Sequence, residues 1–395
     1  MLEGTRILAV HHDPSLTGAA LLFESVIEGL IHTYGAIVSQ SFPKPGAMVA
    51  RAKVLGPVQV GHSRWDGRPR TFLDKVAGRL GYREPGMTWD LIFANSIASL
   101  GTVERLRARY GGLQELPLVV FVHESSLLLH EYDFPATQRM LSQARLIFAV
   151  SAAVRKTLEE VIQPTAAISV VNGFLLERQG TGSNTALPSA VQDAIDSGAR
   201  ILGGVGTVAW YKGTDLFIAV AKRIRQLLPQ QRLAFIWMGQ EQFPEVRRLL
   251  ERDIERAGLS QVVIMPGQTH DPRAFFDSLS LFLLPSREDS WPLVMLEAAQ
   301  AGVPIVCFQR AGGAEEFVAH GGGTAVPYLD VEAMAQAAVR YLCEPALMER
   351  DSRIARQLVL GVGREEQIRK IASGIAQMMM SPVSASERRR GAPHR

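Results

Sequence analysis

Two acidic residues flank the start of a predicted helix in the second half of the chain. Asp289 ends a polar loop that follows a buried-strand pattern, and Glu297 stands eight positions later. Ser290 is expected to cap the helix and Pro292 to lie in its first turn, while Gly302 predicts its end. The free amides and the positive dipole of a helix start favour a bound phosphate. This stretch therefore predicts a phosphate-binding loop with two carboxylates. A solvated loop in an ordinary strand–loop–helix unit is the alternative interpretation.

The elements that must position this loop are short apolar strands that alternate with amphipathic helices. In the first half, strands are predicted at residues 7–10, 36–42, 91–95, 118–122, 146–150 and 168–171. In the second half, strands are predicted at residues 201–205, 233–238, 262–265, 281–284 and 305–308. Strands spaced by helices predict a parallel sheet with both faces covered, and this chain predicts one such sheet in each half.

The helices are predicted from apolar positions at helical spacing. Ser151 and Asp271 are expected to cap two of them. The clearest helices are at residues 20–34, 152–162, 331–342, 346–360 and 365–379. Residues 43–75 carry several prolines and glycines, and they predict loops with a short helix or strand.

Polar loops follow the predicted strands at their carboxyl ends. The loops are residues 11–18, 123–126, 206–213, 239–242, 265–270 and 285–291. Doubly wound sheets bind ligands beyond the carboxyl ends of their strands. The coincidence favours a functional interpretation of these loops and predicts a ligand cleft between the two halves.

Length and composition predict a globular protein with two domains. The chain has 395 residues, of which 47% are apolar, so one ordinary core would be too small. We predict an N-terminal domain at 1–178, a linker with a lead-in helix at 179–199, a C-terminal domain at 200–360 and a disordered basic tail at 381–395. The 42 basic and 39 acidic residues nearly balance, which argues against a nucleic-acid partner.

Cysteine usage and hydropathy predict a cytoplasmic protein. Cys307 and Cys343 form neither a metal-ligand spacing nor a disulfide framework. The first strand begins almost at the N-terminus, and no apolar run is long enough to span a membrane. Arg105, Arg107 and Arg109 on one helix could form a basic patch, so peripheral contact with the inner face of the membrane stays open.

The stretch from Pro285 to Ala298, with Asp289-x7-Glu297 inside it, resembles the E-x7-E segment of the family 4 retaining glycosyltransferases (glycosyl transferases group 1). The resemblance extends over about residues 6–375. The supporting motifs come in the order of the family, and they are Thr17-Gly18-Ala19, His123-Glu124, Val150-Ser151, Asn172-Gly173, Gly206 with Lys212-Gly213-Thr214-Asp215, Met265-Pro266-Gly267 and Ala311-Gly312-Gly313-Ala314-Glu315-Glu316.

The resemblance implies the α/β GT-B fold, in which two Rossmann-like doubly wound domains face each other across a cleft. The final helix at 365–379 would pack back on the first domain. The implied activity is metal-independent transfer of a sugar from a nucleotide-diphosphate sugar to an acceptor hydroxyl, with the anomeric configuration retained. A carbohydrate or glycoconjugate acceptor in polysaccharide synthesis of the bacterial type is expected, and no cofactor. A non-catalytic sugar-binding relative and a nucleotide-sugar epimerase on the same fold are the alternatives.

The resemblance also implies roles for the charged residues of the second half. Glu297 matches the acid that holds the ribose hydroxyls, and Asp289 matches the acid that faces the sugar ring, where the family usually has Glu. Lys212 matches the lysine that binds the donor diphosphate. Thr207 stands where the family often has a second cation, an arginine. Either another basic residue, such as Arg287, is expected to supply the missing positive charge, or the helix amides near Leu293 and Val294 are expected to bind more of the diphosphate.

In the first half, His123 matches the histidine that reaches the donor sugar. His11, His12 and Asp13 could line the acceptor side or belong to a solvated loop. The expected catalytic residues are His123, Lys212 and Asp289. The expected donor-binding residues are Gly18, Thr207, Lys212, Met265, Gln268, Leu293, Val294 and Glu297.

Overall fold

The computed structural model is divided by its residue contacts into two units. The described residues are 1–61, 88–125, 134–162, 166–176, 187–241, 243–269 and 272–381. The first unit comprises Met1–Val150, Arg155–Val171 and Arg364–Arg395, and the second comprises Ser151–Val154 and Asn172–Gly363. Residues 179–186 of the predicted linker and 382–395 of the predicted tail lie outside the described residues, as does the expected helix cap Asp271.

The first unit is built on a parallel sheet of short apolar strands. The strands are β1 (Arg6–Val10), β2 (Ile37–Phe42), β3 (Val58–Val60), β4 (Leu91–Asn95), β5 (Leu118–Val122), β6 (Leu146–Ala149) and β7 (Ala167–Val170). They pair in the order β3-β2-β1-β4-β5-β6-β7. Every residue of β4 and of β5 is buried, because a parallel sheet is covered on both faces.

The second unit repeats this architecture. Its strands are β8 (Arg200–Val205), β9 (Leu233–Met238), β10 (Val263–Gly267), β11 (Leu279–Leu284), β12 (Ile305–Phe308) and β13 (Gly323–Val326). They pair in the order β10-β9-β8-β11-β12-β13, and all described pairs are parallel. The prediction of doubly wound sheets is confirmed in both units. β13 was not predicted, because its residues Gly-Thr-Ala-Val form only a short and weakly apolar run.

Helices connect the strands and cover the sheets. They are α1 (Gly18–His32), α2 (Ala47–Leu55), α3 (Leu100–Arg109), α4 (Phe134–Ser142), α5 (Ala152–Ile162), α6 (Ser189–Asp196), α7 (Thr214–Leu227), α8 (Pro244–Arg256), α9 (Arg273–Ser278), α10 (Leu293–Ala301), α11 (Gly313–Val318), α12 (Val331–Cys343), α13 (Pro345–Gly361) and α14 (Arg364–Met380). The predicted cap of α5 is confirmed, since the Val154 amide donates to Ser151 Oγ at 3.2 Å.

The last helix, α14, packs on α1 within the first unit. Ile368 of α14 lies against Gly29, where an added methyl group would come within 2.6 Å of the isoleucine side chain. Arg364 fixes the start of α14 by donating to Glu28 Oε2 at 2.9 Å and to Ser25 Oγ at 2.8 Å. In the described part of the chain, no helix combines the length and the apolar character that crossing a membrane requires.

Each sheet contains one point at which the strand order reverses. In the first unit, β1 lies between β2 and β4, so the loops that follow β1 and β4 diverge. In the second unit, β8 lies between β9 and β11 in the same way. Such a switch point opens a crevice at the carboxyl ends of the strands, where ligands of α/β sheets bind. The polar residues after β1, β4, β8 and β11 are therefore the first candidates for function.

Candidate active site

At the switch point of the second unit, the loops after β8 and β11 meet through an ion pair. Lys212 Nζ lies 2.5 Å from Asp289 Oδ2, and the two side chains are only 21% and 12% exposed. The Asp289 amide donates to the Ala311 carbonyl at 2.7 Å, which fixes the backbone of the acid. The structure thus brings together two of the three predicted catalytic residues, one from each side of the switch point.

Two glycines allow these loops to approach closely. Gly213 has φ +71°, and an added Cβ would lie 1.9 Å from the Pro285 carbonyl oxygen. Gly312 has φ +124°, and an added Cβ would lie 1.9 Å from the Asp289 carbonyl oxygen. Only a residue without a side chain fits such a contact in the left-handed region. The two glycines therefore hold the Lys212 loop and the Gly312 loop against the segment that carries Asp289.

Arg287 does not supply the second cation that the sequence left open. Its guanidinium binds both Asp215 oxygens at 2.8 Å and the Trp210 carbonyl at 2.7 Å. It also lies over the Trp210 ring, 4.7 Å from the ring centroid. Burial raises the pKa of Asp215, but the hydrogen bond and charge of Arg287 outweigh burial and lower it overall. Arg287 is therefore a clamp between two loops, and its charge is already balanced.

Sequence reasoning missed the acid of this clamp. Asp215 belongs to the Lys212-Gly213-Thr214-Asp215 motif, which was recognised only for its lysine. The clamp is completed by the Arg287 amide, which donates to the Tyr211 carbonyl at 2.8 Å. Nothing local in the sequence signals that Asp215 pairs with a residue 72 positions away.

The helix after Asp289 begins later than the sequence predicted. α10 starts at Leu293, its N-cap position is Pro292, and no side chain caps it. The expected capping role of Ser290 is thus wrong, because the helix starts only after Pro292, whose backbone is still extended with φ −70° and ψ 110°. The amides of Leu293 and Val294 belong to this uncapped first turn. A helix start of this kind has unsatisfied donors that favour an anion.

The other predicted donor-binding residues of the second unit lie at the same edge of the sheet. Glu297 is half-buried, one turn inside α10. Thr207 is exposed in the loop after β8, and Gln268 is exposed just after β10. Met265 lies within β10, where its carbonyl accepts a hydrogen bond from Arg247 at 3.1 Å. Thr207 and Gln268 lie in loops that follow strands, Met265 lies within β10, and Glu297 lies in the helix that follows the loop after β11.

The remaining predicted residues, His123 and Gly18, lie in the first unit. His123 follows β5, and its Nε2 forms a hydrogen bond of 2.9 Å with Asn95 Oδ1. The Asn95 amide nitrogen faces the Ala19 carbonyl at 3.5 Å, so Oδ1 is the acceptor and His123 Nε2 carries the proton. Burial, with a smaller effect of neighbouring His12, lowers the pKa of His123 to about 3. His123 is therefore a neutral imidazole whose Nδ1 is an acceptor.

The loop that carries His123 is anchored by a buried carboxylate. Glu124 Oε2 accepts from the His123 amide at 3.0 Å, and Glu124 Oε1 accepts from Ser96 Oγ. Ser96 has φ +75°, a strained value for a residue with a side chain. Asn95 is the last residue of β4, the strand beside the switch point, and Ser96 follows it. Sequence reasoning missed both, although their position at a strand end was visible.

His11 does not line a ligand site, contrary to one of the two interpretations of the first loop. It is fully buried, its ring stacks on Phe42 at 4.1 Å, and its Nε2 donates a hydrogen bond to Gln40 Oε1 at 2.7 Å. The His11 amide still bonds the Ser41 carbonyl, so the strand ladder continues past β1 and turns this side chain into the core. His12 and Asp13 are half-buried.

The predicted basic patch on α3 is also not continuous. Arg105 and Arg109 are one helical turn apart on the same face, whereas Arg107 points elsewhere, as a spacing of two residues requires. Arg107 donates to the Leu116 carbonyl at 3.1 Å, and burial lowers its pKa. The patch therefore consists of two arginines.

Comparison with known proteins identifies the second unit. Residues 199–344 match the model of the family described as Glycosyl transferases group 1. The second unit is thus similar to the group 1 glycosyl transferases. The matched residues include Thr207, Lys212, Asp289 and Glu297, so the ion pair at the switch point lies inside the domain that the family defines.

Curated proteins that are similar to this chain include glycosyltransferases of several kinds. The lipopolysaccharide core biosynthesis mannosyltransferase LpcC of Rhizobium leguminosarum bv. viciae is 30% identical over 167 residues, which cover 40% of this chain and 47% of that protein. The chain thus aligns with about half the length of this relative. The D-inositol 3-phosphate glycosyltransferase of Kribbella flavida is 27% identical over 316 residues, which cover 75% of this chain and 72% of that protein.

Solved structures show that both units follow the GT-B fold. HepE of Anabaena in complex with UDP has a TM-score of 0.72 at 18% identity and covers 94% of this chain and 100% of its own. The sucrose-phosphate synthase of Thermosynechococcus elongatus has a TM-score of 0.71 at 17% identity and covers 95% and 99%. At these identities the likeness establishes the fold alone.

Proposed function

We propose that this chain is a retaining glycosyltransferase that moves a sugar from a nucleoside-diphosphate sugar to an acceptor hydroxyl without a metal ion or cofactor. The observation that carries the proposal is the Lys212–Asp289 ion pair at the switch point of the second unit, beside the uncapped start of α10. We expect the Lys212 cation and the amides at the start of α10 to bind the diphosphate leaving group. Negative charge grows on that group as the glycosidic bond breaks, so these donors act most strongly in the transition state.

Each predicted donor-site residue of the second unit then has a chemical role. Lys212 and the amides of Leu293 and Val294 bind the diphosphate. Glu297 accepts hydrogen bonds from the vicinal hydroxyls of the ribose, which a carboxylate can do with both oxygens. Asp289 faces the sugar ring. The extended backbone at Met265 and Gln268 flanks the base, while Thr207 donates one neutral hydrogen bond to the phosphates.

Deprotonation of the acceptor hydroxyl is assigned to the departing phosphate oxygen. His123 is a poor general base, because its pKa of about 3 lies far below neutral pH. The neutral imidazole suits a different task, since Nδ1 can accept a hydrogen bond from a hydroxyl group of the donor sugar. Attack on the same face as the leaving group retains the anomeric configuration and needs no protein nucleophile.

The substrates are proposed from the relatives and the fold. A mannosyltransferase of lipopolysaccharide core synthesis and an inositol phosphate glycosyltransferase are both similar to this chain, and a structural neighbour of the same fold binds UDP. We therefore propose a hexose donor with a nucleoside diphosphate and a glycoconjugate acceptor. The second candidate is a sugar-binding relative without turnover, which the commitment of Arg287 to Asp215 favours, because it leaves Lys212 without the second cation usual in the family.

A donor screen with substitutions tests the proposal. Uridine-, guanosine-, adenosine- and thymidine-diphosphate sugars are incubated with the protein, and transfer or slow donor hydrolysis is measured. We expect turnover with one base, and losses of at least 100-fold in Lys212→Ala and Glu297→Ala with unchanged melting temperatures. Lys222→Ala, an exposed lysine on α7, is the control and should keep full activity. Donor binding without turnover would select the second candidate, and absence of donor binding at millimolar concentration would refute both.

A further inference from the structure

A small recess in the first unit lies at the carboxyl ends of β2 and β3. Its volume is about 60 Å³, and its walls are the end of β2 at residues 41–43, Gly61 after β3, and one face of α3 with Thr102, Arg105 and Arg109. None of the residues given a donor role lines it. The recess nevertheless lies at the edge of the sheet where α/β folds bind ligands.

The helical wall of the recess carries two guanidinium groups. Arg105 Nη2 donates to Thr102 Oγ1 at 2.8 Å, and Arg109 Nη1 donates to the Gly61 carbonyl at 3.4 Å. Each contact ties one guanidinium to another wall residue. Within the described ranges Arg105 has no ion-pair partner, and the described lining contains no acidic residue. The described walls of the recess therefore carry two guanidinium groups.

The strand wall supplies a fixed hydroxyl. Ser41 is buried, and its Oγ donates to Gln59 Oε1 at 3.3 Å. Gln59 Nε2 in turn donates to the Tyr110 hydroxyl at 3.1 Å. Because the Ser41 proton is used in this buried chain, its oxygen lone pairs are directed to accept a hydrogen bond. The recess therefore combines two cationic donors with one hydroxyl acceptor.

The size and charge of the recess suit a small oxyanion. About 60 Å³ of space is enough for a small oxyanion group, since about 10–15 Å³ by the same measure holds one water molecule. Two guanidinium groups match the several oxygens of a phosphate monoester better than the two oxygens of a carboxylate. We propose that this recess binds a phosphate monoester group of the acceptor, with an acceptor hydroxyl bonded to Ser41. The inference that the ligand is the acceptor rests on the proposed function.

Calorimetry on the full chain tests the recess. Inorganic phosphate is titrated into protein that has first been saturated with UDP, so that the diphosphate site of the second unit is filled. We expect wild-type protein to bind phosphate, Arg105→Gln and Arg109→Gln each to weaken binding about tenfold, and Arg139→Gln to bind as wild type. Arg139 is an exposed arginine of the same unit paired with Glu104. Acetate should bind at least tenfold more weakly than phosphate.

The outcomes separate this inference from the proposed function. Unchanged phosphate affinity in Arg105→Gln, or no binding by UDP-loaded wild type, overturns the recess. If UDP itself does not bind, the proposed donor site fails, and the titration is repeated without UDP on wild type, Arg105→Gln and Lys212→Ala. Phosphate binding that is lost in Arg105→Gln and kept in Lys212→Ala still supports the recess, and the reverse pattern overturns it.

The source of the phosphate is resolved by two further arms. In the first, the affinities of inositol phosphate and inositol are compared. Tighter binding of inositol phosphate, lost in Arg105→Gln, assigns the phosphate to a soluble acceptor. In the second, sedimentation with phosphatidylcholine vesicles that contain phosphatidic acid is measured. Arg105-dependent sedimentation assigns the phosphate to a lipid headgroup. Equal binding of inositol and inositol phosphate, with no sedimentation, contradicts the proposal.

Discussion

Lys212 and Asp289 form an ion pair of 2.5 Å at the point where the strand order of the second sheet reverses. The cation that the proposed donor site offers to a diphosphate is thus already neutralised by the acid that is proposed to face the sugar. When a donor binds, its diphosphate must replace the Asp289 carboxylate as the anion beside Lys212. The pair therefore couples the phosphate position to the sugar position.

Asp289→Asn should separate binding from turnover. Removal of the negative charge frees Lys212, so we expect UDP to bind about five- to tenfold more tightly, a gain of about 1 kcal/mol. Sugar transfer should fall at least 100-fold, because the group that faces the sugar ring has lost its charge. Calorimetry with UDP and initial rates with the donor measure the two effects. Asp253→Asn, on the exposed face of α8, is the control, and weaker UDP binding in Asp289→Asn would contradict this account.

Arg287→Lys tests the clamp between the two loops. Lysine keeps the charge but cannot bind both oxygens of Asp215 in the way that Arg287 does at 2.8 Å. We expect the free energy of unfolding to fall by roughly 1 kcal/mol, since Asp215 is 45% exposed and solvent screens the pair. The value of kcat/KM should also fall, by more than the small increase in unfolded protein explains, because Lys212 loses its fixed position.

The matched partner of that experiment is Asp215→Asn. If the clamp acts as one unit, the double substitution should cost no more than either single substitution in urea unfolding. Additive losses of stability would show instead that the two residues act independently, and the positioning role of Arg287 would have to be abandoned.

A buried acid in the first unit predicts an unusual dependence of stability on pH. Burial, opposed by the neighbouring Gln40 side chain and by the charge of Arg51, raises the pKa of Glu24 to about 7. The unfolded chain releases this proton near pH 4.5, whereas the folded chain holds it until about pH 7. The free energy of unfolding therefore falls as pH rises from about 4.5 to 7 and stays lower above that range.

Glu24→Gln should remove this loss. At pH 8 the amide avoids the cost of a buried charge, so we expect stabilisation of up to about 3 kcal/mol, and little change at pH 4.5. His11, whose pKa burial lowers to about 3, acts in the opposite direction, and its contribution is lost as pH falls from 6.5 toward 3. Urea unfolding at both pH values checks the result against Glu159→Gln, an exposed residue of α5. Equal effects of Glu24→Gln at pH 4.5 and 8 would refute the assigned pKa.

The sequence was sufficient for the features that depend on local pattern. Apolar runs located both sheets, and the spacing of Asp289 and Glu297 around a helix start located the candidate donor site. The errors arose where distant contacts decide. Ser290 has the composition of a cap, but the packing of Trp291 between Gly173 and Gly313 delays the helix to Leu293.

Side-chain direction was the second limit. His11 stands in a polar stretch, yet the ladder bond from its amide to Ser41 keeps it in strand register and buries it. Arg287 looked like a free cation because its partner is distant in sequence. Pairings of long side chains across loops depend on the tertiary structure, and no periodicity in the sequence records them.

Thr207→Arg should restore the charge that Arg287 does not provide. Thr207 is exposed in the loop after β8, so an arginine there can extend without displacing core residues. A second guanidinium beside the diphosphate position should tighten UDP binding about tenfold, the usual value of one charge-assisted hydrogen bond. Thr207→Gln, which adds length without charge, should change UDP affinity less than twofold. The contrast should shrink as salt rises, because the added attraction is screened. Equal affinity of the arginine and glutamine variants at low salt would show that the diphosphate does not bind beside residue 207.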